Sequence, residues 1–193
     1  MLPNLLTVFR LLLVPVILWL AYGRSAPALS AGLGLLVVAG VTDWLDGYLA
    51  RRRDQVTPFG TLMDPLTDKM LVLGLLFVFA DRGLVPMWLV LVLLFREMLV
   101  SGVRRVKAAR GEVVGANWMG KTKFVLQNVL LGGIFLYLIL EARGMRVPGG
   151  QALVFWCALA VVAASAAFAL VFFVRHAPGL LRAEEAGTTT QRE

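Results

Sequence analysis

Four aspartates at helical spacing are the residues of this chain best suited to chemistry. They are Asp43, Asp46, Asp64 and Asp68. On an α-helix, Asp43 and Asp46 lie one turn apart on one face, and so do Asp64 and Asp68. Two antiparallel helices joined by the segment between these pairs would therefore direct four carboxylates toward one point.

Carboxylates gathered at one point need a counter-charge, because like charges repel and burial disfavours the ionised form further. Oxygen ligands of this kind select a hard divalent ion, Mg²⁺ or Mn²⁺, over zinc. Four acids are enough to hold two such ions about 3.5–4 Å apart, an arrangement that serves phosphoryl transfer. The sequence therefore predicts a centre of two divalent metal ions.

Small residues beside the acids leave room for a bulky ligand. Gly47 and Ala50 share the helical face of Asp43. Arg51 follows at the end of the same helix, where its guanidinium can meet a phosphate.

Proline and glycine residues lie between and beside the two acidic pairs. Pro58 and Gly60 are suited to a tight return between two helices. Pro65 fits the first turn of the second helix, since the backbone N–H that proline lacks has no partner there.

The helices that carry these acids are predicted to lie in a membrane. Hydrophobic residues make up 59% of the 193 residues and charged residues 16%, against about 45–50% and about 25% in ordinary soluble domains. A span needs about 20 apolar residues. Six stretches are candidate spans: Leu5–Tyr22, Ala31–Leu49, Asp64–Ala80, Val85–Val103, Phe124–Leu140 and Ala152–Val174. The sequence thus predicts an all-α, six-span domain over residues 1–181 and a flexible tail over residues 182–193.

The second and third spans are apolar over only half their length, from Ala31 to Val41 and from Met70 to Ala80. Their other halves carry the four aspartates. Ionisable groups at such depth cost about 2.5–3.5 kcal/mol each on the insertion scale, so they need a compensating role. Either these two stretches are not spans, or their polar halves face a water-filled cavity at one membrane surface, and we expect the second.

Lysine and arginine predict which surface that is. With six spans, one side receives most of the basic loop residues, and that side is expected to be cytoplasmic. The cytoplasmic set is Arg51, Arg52, Arg53, Arg104, Arg105, Lys107, Arg110, Lys121, Lys123, Arg175, Arg182 and Arg192. The opposite set is Arg24, Arg82, Arg143 and Arg146. Both termini and the acidic site are therefore predicted to be cytoplasmic.

Two other interpretations of the acids stay open at this point. In the first, they form structural ion pairs with Arg51–Arg53 and Lys69. In the second, they line the pore of a divalent-cation transporter. A transporter needs a polar path across the whole membrane, whereas the apolar halves of the second and third spans carry no charge. This favours a site that opens to one side only.

The acidic motif resembles that of a known family. Asp43-x2-Asp46-Gly47-x2-Ala50-Arg51-x8-Gly60-x3-Asp64-x3-Asp68 matches, without a gap or substitution, the signature of the CDP-alcohol phosphotransferases. The resemblance implies six transmembrane helices, usually a homodimer, and a cytoplasmic site with two divalent metals. It also implies transfer of a phosphatidyl or similar group from a CDP-linked donor to an alcohol, with release of CMP.

The resemblance also implies roles for individual residues. Asp43, Asp46 and Asp64 are expected to bind the metal ions, and Asp68 to act as the catalytic base while also touching metal. The residues expected to hold the cytidine diphosphate are Gly47, Ala50, Arg51 and Gly60.

Three further segments resemble bacterial members of the family that use glycerol 3-phosphate as the acceptor. These segments are Leu2–Arg10, Phe95–Arg104 and Asn117–Lys123. The resemblance implies CDP-diacylglycerol as donor, phosphatidylglycerophosphate as product and a bacterial plasma membrane as location. Thr67 departs from the alanine expected there. Members that make cardiolipin, phosphatidylinositol phosphate or phosphatidylserine are the alternatives within the family.

Glycerol 3-phosphate is a small dianion, so its pocket needs fixed cations. Arg104 and Lys121, with Lys123 as a third, are predicted to hold its phosphate. Arg96 and Glu97 are predicted to form a structural ion pair. Arg96 could instead meet an aspartate or the substrate phosphate, and Glu97 could pair with Arg10.

Residue counts limit the chemistry further. The chain has one cysteine, Cys157, and one histidine, His176. An intrachain disulfide, a multi-cysteine metal site and a mechanism that needs two histidines are thereby excluded. The sequence favours direct displacement at phosphorus, because no serine or cysteine has an evident histidine to activate it.

Overall fold

The computed structural model describes the backbone of residues 2–53, 58–109 and 118–190, and the side chains of residues 8–42, 63, 65–109 and 122–175. Six α-helices make up most of this backbone, which contains no strand. They are α1 (Leu2–Tyr22), α2 (Ala26–Arg53), α3 (Pro58–Asp81), α4 (Met87–Ala109), α5 (Trp118–Ala142) and α6 (Gly150–Thr190). The predicted all-α architecture is therefore confirmed, with every helix longer than the apolar stretch that predicted it.

Among the residues whose side chains are described, two helical segments are long and apolar enough to cross a membrane by length and composition. The qualifying segments are Thr122–Ala142 of α5 and Gly150–Arg175 of α6. Shorter apolar stretches cover Val8–Tyr22 of α1 and Ala26–Thr42 of α2.

The helix packing places α1 and α5 beside both acidic helices. Helix α1 packs against α2 and α3, and α5 packs against α2, α3 and α6, while α4 lies against α3 and α6. Their shared core is aliphatic and aromatic, and the rings of Phe79 and Phe135 meet edge to face with centroids 5.4 Å apart. This edge-to-face geometry is the one that the aromatic quadrupole favours.

The bundle has two distinct ends. The last residues of α1, α3 and α5, namely Tyr22, Asp81 and Ala142, surround a polar cavity of about 540 Å³ at one end. There the Arg82 guanidinium donates to the carbonyl oxygens of Ala21 at 2.6 Å and Gly23 at 3.0 Å. These bonds satisfy carbonyls left open at the end of α1. The acidic helices α2 and α3 are joined at the opposite end.

The start of α3 differs from the expectation. Pro58 is the first residue of the helix, Gly60 lies within its first turn, and Pro65 lies inside the helix. The predictions that Pro58 and Gly60 lie in the connecting loop and that Pro65 lies in the first turn of the helix are therefore wrong. The first turn of a helix tolerates a residue that lacks a backbone N–H. Pro58 meets this condition as well as Pro65 does, and it lies seven residues earlier in the chain.

Helix α6 is the longest element, with 41 residues and a length of about 60 Å. It continues to Thr190 and so includes most of the segment 182–193, which the sequence predicts to be a flexible tail. A helical backbone leaves the mobility of that segment open, and its flexibility stays a prediction.

Close packing of α2 against α5 gives a prediction about stability. A Cβ on Gly32 would lie 2.9 Å from Cε1 of Phe135, which is fully buried, whereas a Cβ on Gly34 would meet nothing within 4 Å. We expect Gly32→Ala to destabilise the protein by about 1–3 kcal/mol, the usual cost of overpacking. Gly34→Ala, on the same helix, is the matched control. Thermal unfolding in detergent checks this, and equal melting temperatures for the two variants would contradict it.

Candidate active site

A cavity of about 400 Å³ lies between α3, α4 and α5, at the end of the bundle opposite the polar cavity near Tyr22. Most of its polar lining is charged. The charged and polar residues of the lining are Asp68, Lys69, Arg96, Glu97, Ser101, Arg104, Arg105, Lys123 and Gln127. Among these, five cations outnumber two carboxylates, so the cavity favours an anion.

Asp68 reaches this cavity from α3 and is held by a residue of α1. Its carboxylate Oδ1 lies 3.6 Å from Nη1 of Arg10, which is 1% exposed, while the Asp68 side chain is 27% exposed. The carboxylate is thus anchored on its buried side and open to the cavity on the other. This contact replaces the pairing of Arg10 with Glu97 that the sequence offers as an alternative. The signal for its role was a lone arginine in an apolar stretch, where an unpaired charge is costly.

Among the described side chains, Lys69 forms a hydrogen bond with a hydroxyl group and no ion pair with Asp68, the one aspartate of the motif that is described. The Lys69 ammonium donates a hydrogen bond to the hydroxyl of Ser101 on α4. Lys69 therefore contributes a positive charge to the cavity wall and a link between α3 and α4.

Thr67, the departure from the family pattern, is fully buried next to Asp68. Its hydroxyl donates to the carbonyl oxygen of Met63 at 2.9 Å, within the same helix. A small side chain whose polar atom is satisfied locally replaces alanine without leaving a buried donor unpaired. The substitution leaves the geometry of α3 around Asp68 helical.

Asp43 and Asp46 lie in α2, and Asp64 lies in α3, as the spacing predicts. Their side chains are outside those described, and the described side chains include no group of three or more acidic, histidine or cysteine residues. The metal centre therefore stays a prediction. Oxygen ligands of this kind fit a hard divalent ion. Asp68, the one aspartate of the motif whose side chain is described, offers a carboxylate that faces the cavity.

The residues predicted to hold cytidine diphosphate lie on either side of the connection between α2 and α3. Gly47, Ala50 and Arg51 belong to the last two turns of α2, and Gly60 to the first turn of α3. Only four residues, 54–57, join the two helices. The backbone thus brings these positions to one end of the bundle, and their side chains lie outside the described set.

Two of the three predicted acceptor residues line the cavity together with Asp68. Arg104 places its guanidinium carbon 5.5 Å from the ring centroid of Phe172 on α6, a distance typical of a cation–π contact. Lys123 lines the same cavity from α5. Lys121 lies in the first turns of α5, as expected, and its side chain is not among those described.

The predicted pair of Arg96 and Glu97 is present, with Nη1 of Arg96 2.6 Å from Oε1 of Glu97. The same Oε1 also accepts a hydrogen bond from the ammonium of Lys123. Arg96 in addition donates from Nε to the backbone oxygen of Ser165 on α6 at 3.0 Å. The alternative pairing of Glu97 with Arg10 is not observed, since Arg10 meets Asp68.

The chain belongs to a known protein family. Residues 1–174 match the CDP-alcohol phosphatidyltransferase family, and the chain is a member of it. The match extends through most of α6, beyond the segments that carried the resemblance in sequence.

Individual relatives share one name, CDP-diacylglycerol–glycerol-3-phosphate 3-phosphatidyltransferase. The protein of that name from Bacillus subtilis is 42% identical over 148 residues, which cover 70% of this chain and 77% of the relative. The one from Rickettsia bellii is 37% identical over 146 residues, covering 76% and 78%. The one from Haemophilus influenzae is 36% identical over 139 residues, covering 68% and 74%.

Proposed function

We propose that this protein transfers the phosphatidyl group of CDP-diacylglycerol to glycerol 3-phosphate, giving phosphatidylglycerophosphate and CMP. This is the activity for which its relatives are named. One structural observation supports it most: Asp68, a carboxylate of the family signature, opens into a cavity whose other charged residues are mostly cations. A carboxylate beside an anion pocket suits a reaction in which a phosphorylated alcohol loses its hydroxyl proton.

The residues proposed to bind the donor lie at the joined ends of α2 and α3. Asp43, Asp46 and Asp64, with Asp68 in part, would hold two divalent ions, which supply charge stabilisation at the pyrophosphate oxygens. Gly47, Ala50, Arg51 and Gly60 are proposed to bind the cytidine diphosphate.

The cationic cavity is proposed to hold the acceptor. Arg104 and Lys121, with Lys123, are proposed to bind the phosphate of glycerol 3-phosphate. The acceptor hydroxyl oxygen forms a bond to the phosphorus that carries diacylglycerol, and the bond from that phosphorus to CMP breaks. Asp68 accepts the hydroxyl proton, and Arg10 holds the Asp68 carboxylate in place.

The membrane setting is part of the same proposal. Six spans, with both termini and the active site on the cytoplasmic side of a bacterial plasma membrane, let the acyl chains of the donor stay in the bilayer while its headgroup meets the cavity. The proposal includes a homodimer and assigns residues 1–181 to the membrane domain. The cluster of basic residues at the end of the bundle that holds the cavity supports this orientation.

Neutralising acceptor cations should weaken acceptor binding selectively. Each charge-assisted hydrogen bond contributes about 1.5–3 kcal/mol, so Arg104→Ala or Lys121→Ala should raise the KM for glycerol 3-phosphate about tenfold to a hundredfold. The KM for CDP-diacylglycerol should stay within twofold, because other residues hold the donor. CMP release, measured against each substrate in turn, gives both constants.

Arg143→Ala is the matched control, since Arg143 is exposed and follows α5 at the far end of the bundle. It should change neither constant. An acceptor KM within twofold of the parent for both Arg104→Ala and Lys121→Ala would remove these residues from the site. Equal losses for donor and acceptor would show that they shape the fold.

A further inference from the structure

Glu97 is an unexpected residue in an anion cavity. It is 7% exposed, lies on α4 and lines the same cavity as the cations. A carboxylate there repels the phosphate that the cavity is proposed to bind. A buried charge is also costly unless it is paired. The contacts of the Glu97 carboxylate must therefore explain why a negative charge lies in this cavity.

Those partners come from two helices and meet at one atom. Oε1 of Glu97 accepts hydrogen bonds from Nη1 of Arg96 and from the ammonium of Lys123. Arg96 is fixed a second time by its Nε bond to the Ser165 carbonyl oxygen on α6. One carboxylate oxygen thus connects α4 with α5, and through Arg96 with α6.

The position of the Lys123 ammonium depends on Glu97 more strongly than the position of the Arg96 guanidinium does. A lysine side chain has four flexible bonds and a compact ammonium that adopts many positions. The described contacts of its ammonium are with Glu97, whereas Arg96 also has the α6 carbonyl oxygen. Without the carboxylate, the ammonium of Lys123 has no fixed place on the cavity wall.

We propose that Glu97 is a positioning residue that holds Lys123 and Arg96 in the wall of the cavity and thereby sets its affinity for the acceptor phosphate. The proposal rests on the proposed function, since it concerns the same cavity. Glu97 itself touches neither substrate in this account. It acts through the two cations bound to its Oε1.

Two effects of removing the carboxylate oppose each other. Loss of a negative charge favours phosphate, but Arg96 and Lys123 already offset the charge of Glu97, so losing this repulsion changes affinity only a few-fold. When a cation is no longer held in position, its charge-assisted contact with the phosphate is lost, which changes affinity about tenfold or more. Loss of placement is the larger effect, so Glu97→Gln should weaken acceptor binding.

The test measures CMP release for Glu97→Gln, Lys123→Met and the double variant in the purified full-length protein. We expect Glu97→Gln to raise the KM for glycerol 3-phosphate at least tenfold, with kcat and the KM for CDP-diacylglycerol within threefold of the parent. The double variant should match Glu97→Gln within threefold, because both changes disable the same unit. Glu141→Gln, an exposed carboxylate near the end of α5, is the matched control.

Several results would overturn the proposal. An acceptor KM that is unchanged or lowered in Glu97→Gln makes the carboxylate a mere counter-charge, and effects that multiply in the double variant show that the two residues act independently. If Glu97→Gln does not fold, Glu97→Asp replaces it. It keeps the charge but shortens the reach, so a KM raised at least threefold is expected, and a parental value overturns the idea.

Binding of inorganic phosphate separates this proposal from the proposed function. Phosphate-induced thermal stabilisation needs no acceptor turnover. If the parent fails to use glycerol 3-phosphate, the proposed function fails, yet phosphate should still stabilise the parent at concentrations about tenfold lower than Glu97→Gln needs. Equal phosphate dependence in both proteins contradicts the positioning role of Glu97 directly.

Discussion

Asp43→Asn and Asp64→Asn are expected to reduce CMP release at least about a hundredfold, and excess EDTA is expected to do the same to the unchanged protein. The reason is electrostatic, because carboxylates gathered at one point need divalent cations and the displacement needs positive charge at the pyrophosphate. A metal ion contributes several kcal/mol of such stabilisation, and each 1.36 kcal/mol is tenfold in rate.

The control for this prediction is an aspartate outside the acidic motif. Asp81 is exposed at the last residue of α3, at the opposite end of the bundle. Asp81→Asn should retain parental activity, and all three variants should insert into membranes at parental levels. Added Mg²⁺ or Mn²⁺ should restore the EDTA-treated parent. Full CMP release in excess EDTA would contradict the metal centre.

Asp68→Asn is expected to lower turnover by about a hundredfold or more while CDP-diacylglycerol still binds. Loss of a general base costs about 10²–10⁴ in rate, and an asparagine amide has no comparable basicity. The structure supports the assignment, since the carboxylate faces the cavity that also contains Arg104 and Lys123. Turnover at saturating substrates and the donor KM are the quantities to compare.

Asp68→Asn has a second consequence that the experiment must separate. It removes one anionic partner of Arg10, which is buried, so the melting temperature should also fall. Activity is therefore compared at a temperature where both proteins remain folded. If donor affinity collapses and turnover at saturation is unchanged, Asp68 is a binding residue and its assignment as base is wrong.

Local patterns were sufficient to predict the helices and the neighbours along the chain. Apolar stretches located all six helices, because hydrophobic runs of this length have few other structures available. The pair of Arg96 and Glu97 was also predictable, since two adjacent opposite charges in an apolar helix have reason to meet. The start of α3 was not, because Pro58 and Pro65 both satisfy the rule for a first helical residue.

Contacts between distant segments could not be read from spacing. Arg10 and Asp68 are 58 positions apart in sequence, and Lys123 and Glu97 are 26 apart. Which cation meets which carboxylate depends on how α1, α3, α4 and α5 pack, and periodicity carries no information on that packing. Sequence patterns showed that these buried charges needed partners, and the fold decided which partners they have.

The most direct test of the central claim follows labelled glycerol 3-phosphate into lipid. Purified protein in liposomes that contain CDP-diacylglycerol, with Mg²⁺ present, should convert the label into a chloroform-soluble phosphatidylglycerophosphate and release an equal amount of CMP. Inositol phosphate, serine and phosphatidylglycerol, supplied instead, should give less than about a tenth of that CMP. Transfer to one of these acceptors in preference to glycerol 3-phosphate, or no CMP release with any of them, would contradict the account.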